Sequence, residues 1–136
     1  MNGPEVQLAQ RLELEEAALR EAFPNASIDR AANAVILVGH QLPAGWSHQT
    51  TDVAFGFPPN YPSGCPDNVC VRPDLTLANG QPAGNNQGVQ TLAGRQWLQF
   101  SWHIEGMDWA PTADPRQGSN LTTYLIGALT RFEDPT

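Results

Sequence analysis

Apolar residues recur at helical spacing near the start of the chain, among Glu, Gln, Arg and Ala. Pro4 suits the first turn of a helix, with Asn2 before it at the capping position, and Pro24-Asn25 ends the pattern. The pattern predicts an amphipathic surface helix over 4–23. Its apolar stripe comprises Leu8, Leu12, Leu19 and Phe23.

The next segments show apolar patterns that are typical of strands. The run 34–39 is continuously apolar, too short for a helix and rich in β-branched residues, which predicts a buried strand. Residues 50–57 begin to alternate and predict a second strand, antiparallel to the first, and 69–71 predicts a short third strand. The prolines within 57–62 remove backbone donors and fix φ angles, so no strand ladder is expected there.

An irregular stretch opens the second half of the chain. From 72 to 95 the composition shifts to Gly, Asn, Gln, Pro and Ala, which predicts one long surface loop of the kind that is usually functional or mobile. Residues 97–102 return to alternation, and a closing helix is predicted over 121–132, capped by Ser119 and Asn120. The apolar stripe of this helix comprises Leu121, Leu125, Ala128 and Phe132.

The composition favours one compact domain over residues 1–136. Apolar residues make up 40% of the chain and charged residues 15%, enough for a core and against long disordered tracts. Seven Lys+Arg against fourteen Asp+Glu give a formal net charge of −7, which argues against nucleic acid as a partner. No apolar window is long enough for a membrane span and no secretory signal is present, so we expect a cytoplasmic protein without a membrane partner.

The two cysteines cannot form a disulfide framework. Cys65 and Cys70 lack further Cys or His at zinc-finger spacing, so we expect free thiols that serve in packing, with Cys70 buried and inert. The histidines His40, His48 and His103 have no Cys, Asp or Glu at ligand spacing beside them. The sequence therefore predicts neither a metal site nor another cofactor.

Several short motifs carry a family resemblance. Phe57-Pro58-x-x-Tyr61-Pro62 resembles the signature that follows the third strand of ubiquitin-conjugating enzymes. In that family the catalytic cysteine precedes a tryptophan by eight positions and a proline by ten, and Ser101 stands in that relation to Trp109 and Pro111. With Leu42-Pro43-x-Gly45-Trp46 upstream, nearly the whole chain is similar to the prokaryotic ubiquitin-conjugating-enzyme-like proteins of bacterial ubiquitin-like operons.

The resemblance implies an α+β, UBC-like fold with an N-terminal helix, an antiparallel β-meander, a long active-site loop and a C-terminal helix. It implies an enzyme that accepts a ubiquitin-like protein from an activating enzyme and transfers it to an amine of a protein target. It also implies a bacterial origin and a role in antiphage defence.

Two departures from the family pattern bear on this implied mechanism. The cysteine is replaced by Ser101, so a thioester is impossible there, and the sequence resembles members thought to hold the modifier as an oxyester. The histidine-proline-asparagine triplet expected about ten residues earlier is absent, and its place falls in 92–94.

The expected chemistry needs a nucleophile, a base and an oxyanion donor. Ser101 is the candidate nucleophile. In an extended segment residues i and i+2 share a face, so His103 is the candidate base and, in the second step, the acid that protonates the leaving oxygen. A purely structural role for His103 fits the sequence equally well.

Candidates for the other roles lie in the neighbouring segments. Asn85 and Asn86 are candidate oxyanion donors, although asparagines in a Gly-rich segment are usually turn formers, and backbone N–H groups near Ser101 are an alternative. Asp108 and Asp114 flank the tryptophan-proline pair and are candidates for orienting the incoming amine, or are solvent-facing turn residues.

In ubiquitin-conjugating enzymes the activating enzyme docks on the first helix. The expected exposed face of the predicted helix is mainly acidic, which suits a basic partner surface but equally suits solvent. This face comprises Glu5, Arg11, Glu13, Glu15, Glu16, Arg20 and Glu21.

Two other functions fit the same residues. One is a catalytically inactive UBC-like adaptor that binds a ubiquitin-like protein or an activating enzyme. The other is a serine hydrolase that uses Ser101 and His103, which is disfavoured because no Gly-x-Ser-x-Gly elbow surrounds the serine.

Overall fold

The computed structural model of the protein describes residues 3–104 and 108–136. Helix α1 spans Gly3–Ala22, and helix α2 spans Leu121–Leu129 and continues into a 3₁₀ turn at Thr130–Phe132. The strands between them are β1 (Ala26–Asp29), β2 (Ala34–Gln41), β3 (Thr50–Gly56), β4 (Asp67–Val71), β5 (Asn86–Leu92) and β6 (Arg95–Phe100). Within the described residues, no helix is both long and apolar enough to cross a bilayer.

These strands form one antiparallel sheet in the order β1-β2-β3-β4-β6-β5. The first four follow chain order as a meander, whereas β5 and β6 form a hairpin in which β6 pairs with β4 and β5 lies at the edge. In the β4–β6 pairing Val69 lies opposite Phe100, so the end of β6 lies beside the beginning of β4. This register positions the candidate site.

The two faces of the sheet are covered differently. Val53, Phe55 and Phe100 point into the main core, where they meet Leu19 of α1 and Leu125 of α2. Both helices therefore pack on this face, as expected for an antiparallel sheet with one apolar side. The opposite face carries a smaller buried cluster of Ala54, Cys70 and Trp97.

This architecture confirms the predicted fold class and most of the predicted elements. Helix α1 lies one residue earlier than predicted at each end, and the strand patterns at 34–39, 50–57 and 69–71 correspond to β2, β3 and β4. The Asn120 side chain caps α2 by accepting from the N–H of Thr123 at 2.8 Å, whereas Ser119 bonds Ala110 instead. The apolar stripe of the closing helix is fully buried: Leu121, Leu125, Ala128 and Phe132.

The prediction of one long loop over 72–95 is wrong, because β5 occupies its last third. The hairpin turn between β5 and β6 is Ala93-Gly94, with φ of 53° and 75°, the positive values that a two-residue type I′ turn requires. β5 is an edge strand whose side chains are mostly exposed and polar, so it lacks a clear period-two pattern. The strand β1 was also missed, because its alternation of Ala26 and Ile28 with Ser27 and Asp29 spans only four residues.

The proline-rich segment after β3 is a buried anchor. Phe57 and Tyr61 are 5% and 3% exposed, and their rings lie 5.3 Å apart. The indole N–H of Trp109 donates to the carbonyl of Pro62 at 2.8 Å, which ties the tryptophan-proline pair to this segment. Pro111 forms a bridge with Gly118 in the turn that leads to α2. The two motifs that carry the resemblance thus contact each other.

One residue of the expected exposed helix face is buried. Glu15 is 2% exposed, and its carboxylate accepts hydrogen bonds from the Tyr61 hydroxyl, the Leu121 N–H and the Arg11 guanidinium. The expectation that Glu15 faces solvent is therefore wrong. The carboxylate joins α1, the proline-rich segment and the N-terminus of α2.

Candidate active site

Ser101 directly follows β6, on the sheet face that the helices leave open. Phe100 is fully buried in the main core, so its neighbour Ser101 points to the opposite side and is partly exposed. The N–H of Ser101 donates to the carbonyl of Asn85 at 3.0 Å, which extends the β5–β6 pairing by one step. The hydroxyl is thus held on a strand end rather than on a free loop.

Ser101 and His103 contact each other. The Ser101 Oγ and the His103 Nε2 are 2.8 Å apart, a hydrogen-bond distance. The i, i+2 spacing in an extended segment accounts for this contact, as expected from the sequence. A ring nitrogen of His103 is therefore placed to exchange a proton with the Ser101 hydroxyl.

A third residue, Asp67, completes a hydrogen-bonded row. Its Oδ1 bonds the His103 Nδ1, on the side of the ring opposite Ser101. Asp67 begins β4, and the N–H of the next residue, Asn68, donates to the Trp102 carbonyl at 2.8 Å, so β4 runs alongside the segment after β6. Asn68 has a φ of 62° where the β3–β4 register shifts, and an irregularity of this kind can re-aim a neighbouring side chain.

The atoms in this row match those of a Ser-His-Asp triad. In such triads one ring nitrogen faces the serine and the other donates to the carboxylate, which fixes the tautomer and orientation of the ring. The His103 and Asp67 side chains are 57% and 61% exposed. A contact between two exposed side chains contributes little to the stability of the fold.

Polar side chains continue the row along the open face. The Gln99 Nε2 donates to the Gln87 Oε1 at 2.7 Å, and the Gln99 Oε1 lies 3.8 Å from the Cys70 Sγ. Gln99 precedes Ser101 by two residues and so shares its face. The surroundings of the hydroxyl on β5 and β6 are amides rather than charges.

The two candidate oxyanion donors, Asn85 and Asn86, differ in their contacts. The Asn86 amide donates to the Ala83 carbonyl at 2.7 Å and is committed to its own turn. Asn85 lies next to Ser101 through its main chain, and its side chain is exposed. The Ser101 N–H is already engaged with Asn85, which removes it from the backbone alternatives. The segment that replaces the family triplet is the hairpin turn at the far end of β6.

Asp108 and Asp114 are both exposed. The Asp114 Oδ1 accepts from the N–H of Arg116 at 2.9 Å, as in an ordinary turn. In the described part of the chain neither carboxylate bonds Ser101 or His103. Their role toward an incoming amine stays a prediction.

The cysteines are poorly suited to nucleophilic attack. Cys70 is 4% exposed, and its burial raises the pKa of the thiol to about 11. Burial, with a contribution from the Asp67 carboxylate, also raises the pKa of Cys65. The thiolate is the nucleophilic form, so neither residue is activated at neutral pH. The expectation that Cys70 is buried is confirmed.

Asp67 is the site residue that the sequence analysis missed. It lies 36 positions before His103, and only the β4–β6 register brings the two together. No local spacing signals such a contact. Across the two described ranges, no three His, Cys, Asp or Glu side chains are grouped so that they could hold a metal ion.

Comparison with known proteins gives a match to a family model. No curated protein and no solved structure matches the chain significantly. Residues 15–125 match the model of prokaryotic E2 family E. E2-like proteins in general work with ubiquitin-like proteins and with the enzymes that activate them. Because the match covers most of the chain, and the helix, antiparallel sheet and second helix agree with a UBC-like fold, this protein belongs to prokaryotic E2 family E.

Proposed function

We propose that the protein carries a ubiquitin-like protein as an oxyester on Ser101 and transfers it to an amine of a protein target. The observation that carries the proposal is the hydrogen-bonded row of Ser101, His103 and Asp67. A serine hydroxyl is a poor nucleophile at neutral pH unless a base takes its proton, and the row supplies that base. Family membership supports the class of partner.

In the loading step the Ser101 Oγ attacks the activated C-terminal carbonyl carbon of the modifier. The hydroxyl proton passes to the His103 Nε2, 2.8 Å away, as the new C–O bond forms. The bond between the modifier and the activating enzyme then breaks, and its leaving group takes up a proton. The product is an ester of the modifier on Ser101.

In the transfer step the acceptor amine attacks the ester carbonyl and the C–O bond to Ser101 breaks. An alkoxide leaves less readily than a thiolate, so this step gains most from a proton donor at the leaving oxygen. His103, protonated in the course of the reaction, returns a proton to the Ser101 Oγ. One side chain thus serves both steps.

Asp67 acts as a positioning residue. Its carboxylate accepts the Nδ1–H of His103, which directs the unprotonated Nε2 toward Ser101 and stabilises the positive charge that forms on the ring. Because both side chains are more than half exposed, removing the carboxylate is expected to change the rate with little change in stability.

The basic residues of the chain suit an acyl carrier. The seven residues that are either Lys or Arg are all arginines, so the sequence contains no lysine. A lysine amine can accept an acyl group, whereas the arginine side chain stays protonated. A carrier with this composition has no side-chain amine of its own to which it could transfer the modifier.

The proposal is tested by loading the chain with the ubiquitin-like protein and the activating enzyme encoded nearest to its gene, together with ATP. We expect a covalent adduct that resists thiol reductant, is cleaved by hydroxide, and is absent in Ser101→Ala. In Ser101→Cys the adduct is expected to become cleavable by reductant, because a thioester replaces the ester.

The Cys variant distinguishes loss of the nucleophile from loss of the fold. An adduct that persists in Ser101→Ala would overturn the assignment of Ser101. If neither the wild type nor Ser101→Cys forms an adduct while both still bind the modifier or the activating enzyme, the chain is the inactive adaptor instead.

A further prediction concerns the cysteines. Alkylation with iodoacetamide at neutral pH, and the substitution Cys65→Ser, are expected to leave the loading rate unchanged, since neither thiol is activated. Loading is followed by gel shift, and alkylation by intact mass. Loss of the adduct in Cys65→Ser would instead identify a thiol carrier.

A further inference from the structure

We infer that the isolated chain is also an esterase, which hydrolyses activated acyl esters through an acyl-Ser101 intermediate with water as the final acceptor. The inference uses the same serine as the proposed carrier role, but it requires no partner protein. Its substrates are small esters with good leaving groups, such as aryl esters.

The nucleophile and its base are already assembled in this chain. The Ser101 Oγ is hydrogen-bonded to the His103 Nε2, and the Nδ1 of the same ring is bonded to Asp67 in the free chain. No conformational change is needed to create the nucleophile and base pair. A triad in this arrangement attacks an ester without help from an activating enzyme.

The site is also accessible to water. His103 and Asp67 are more than half exposed and Ser101 is partly exposed, so solvent reaches the ring and the ester that forms beside it. The base that deprotonates Ser101 can equally deprotonate a water molecule in the next step. An acyl group on Ser101 is therefore open to hydrolysis.

The hydrogen bonding around Ser101 sets the substrate class. The Ser101 N–H is engaged with the Asn85 carbonyl and the Asn86 amide with the Ala83 carbonyl, so two nearby donors do not stabilise an oxyanion. Losing one oxyanion donor costs about 10²- to 10³-fold in rate in serine hydrolases. Esters with good leaving groups tolerate this loss, whereas amides, with a poor leaving group, are expected to resist cleavage.

Both half-reactions balance with water alone. Oγ attacks the ester carbonyl, its proton passes to His103, and the bond between the acyl carbon and the aryloxy oxygen breaks. The leaving group takes that proton and departs as the phenol, or departs as the phenolate while His103 releases the proton to solvent. Water then attacks the acyl-serine, His103 accepts a proton from the water and returns one to Oγ, and the carboxylic acid is released. The second half-reaction expels an alkoxide from Ser101, so it is slower than the first. The acyl-enzyme therefore accumulates.

The experiment uses the full chain and p-nitrophenyl acetate. We expect a rapid burst of p-nitrophenolate followed by slower turnover, and one acetyl group on Ser101 in peptide mapping. Because the sequence has no lysine, side-chain amines do not add to the acetylation background. Ser101→Ala is expected to remove the burst and lower turnover by about tenfold or more.

The chain offers a matched control in a second serine–histidine pair. The Ser47 Oγ bonds the Nδ1 of the adjacent His48 at 2.7 Å and also accepts from the Thr76 N–H, and the Asp74 carboxylate lies 3.5 Å from the other ring nitrogen. Asp74 is instead held by Arg72 at 2.7 Å. Ser47→Ala is therefore expected to keep the full burst, whereas Asp67→Asn is expected to slow it.

Each outcome decides between the two proposals. A burst that survives in Ser101→Ala, or acetylation confined to other residues, overturns the esterase. A Ser101-dependent burst in a chain that never forms an adduct with the ubiquitin-like protein supports the esterase and removes the carrier role. Loading of the modifier on Ser101 without any burst leaves the carrier role standing and overturns the esterase.

Discussion

Replacing His103 with glutamine is expected to slow formation of the Ser101 ester by about 10²- to 10⁴-fold, the contribution of a well-placed general base. Glutamine can still hydrogen-bond the hydroxyl but cannot accept its proton. The measurement is the rate of adduct formation in single-turnover loading at saturating activating enzyme, so that weaker binding is separated from slower chemistry.

A structural role for His103 predicts a different pattern. The side chain is 57% exposed, so His103→Gln should leave the thermal unfolding midpoint nearly unchanged. In His103→Ala, added imidazole should restore part of the loading rate, because a free base can enter an exposed site. Loading of His103→Gln at the wild-type rate would show that Ser101 acts without this base.

The pair of Ser101 and His103 was predictable because it depends on local geometry alone. The two residues are separated by one position in an extended segment, and alternation places their side chains together whatever the rest of the fold does. Asp67 was not predictable in this way. Its contact depends on which strand pairs with β6, on the register of that pairing and on the irregular backbone at Asn68.

The edge strand β5 also depends on a contact that the local sequence does not show. The strands β2, β3 and β4 carried a clear apolar signal and were found, whereas β5 packs little and its sequence resembles a loop. Only the pairing with β6 makes it a strand. Gly94 gives only a weak turn signal, because Ala93 is not among the residues that favour the positive φ of a two-residue hairpin turn.

Burial of Glu15 was within reach of the sequence. The stripe of Leu8, Leu12 and Leu19 has a gap that position 15 fills at the spacing of a core-facing side. Periodicity therefore places residue 15 on the core-facing side of the helix, whereas its charge favours the solvent-facing side. A buried carboxylate is tolerated only where hydrogen bonds and a counter-charge satisfy it. Those partners come from Tyr61 and Leu121, which are distant in sequence, and from Arg11.

Glu15→Ala is therefore expected to destabilise the protein by about 3–5 kcal/mol, the usual cost of removing one partner of a buried ion pair. The substitution leaves the Tyr61 hydroxyl, the Leu121 N–H and the Arg11 guanidinium without their shared acceptor. Burial is the largest cause of the raised pKa of Tyr61 and it persists without the carboxylate, so the phenol does not ionise to replace the lost charge. Chemical denaturation measures the loss directly.

Two variants of the same helix separate the network from general effects on α1. Glu13→Ala removes an exposed carboxylate of the same helix and should change stability by less than about 0.5 kcal/mol. Glu15→Gln keeps an acceptor oxygen for Tyr61 or Leu121 but loses the charge that faces Arg11, so its cost should lie between the other two. Equal stability of Glu15→Ala and Glu13→Ala would contradict the network. Because Tyr61 belongs to the proline-rich segment that holds Trp109, loosening at Glu15 should also reach Trp109.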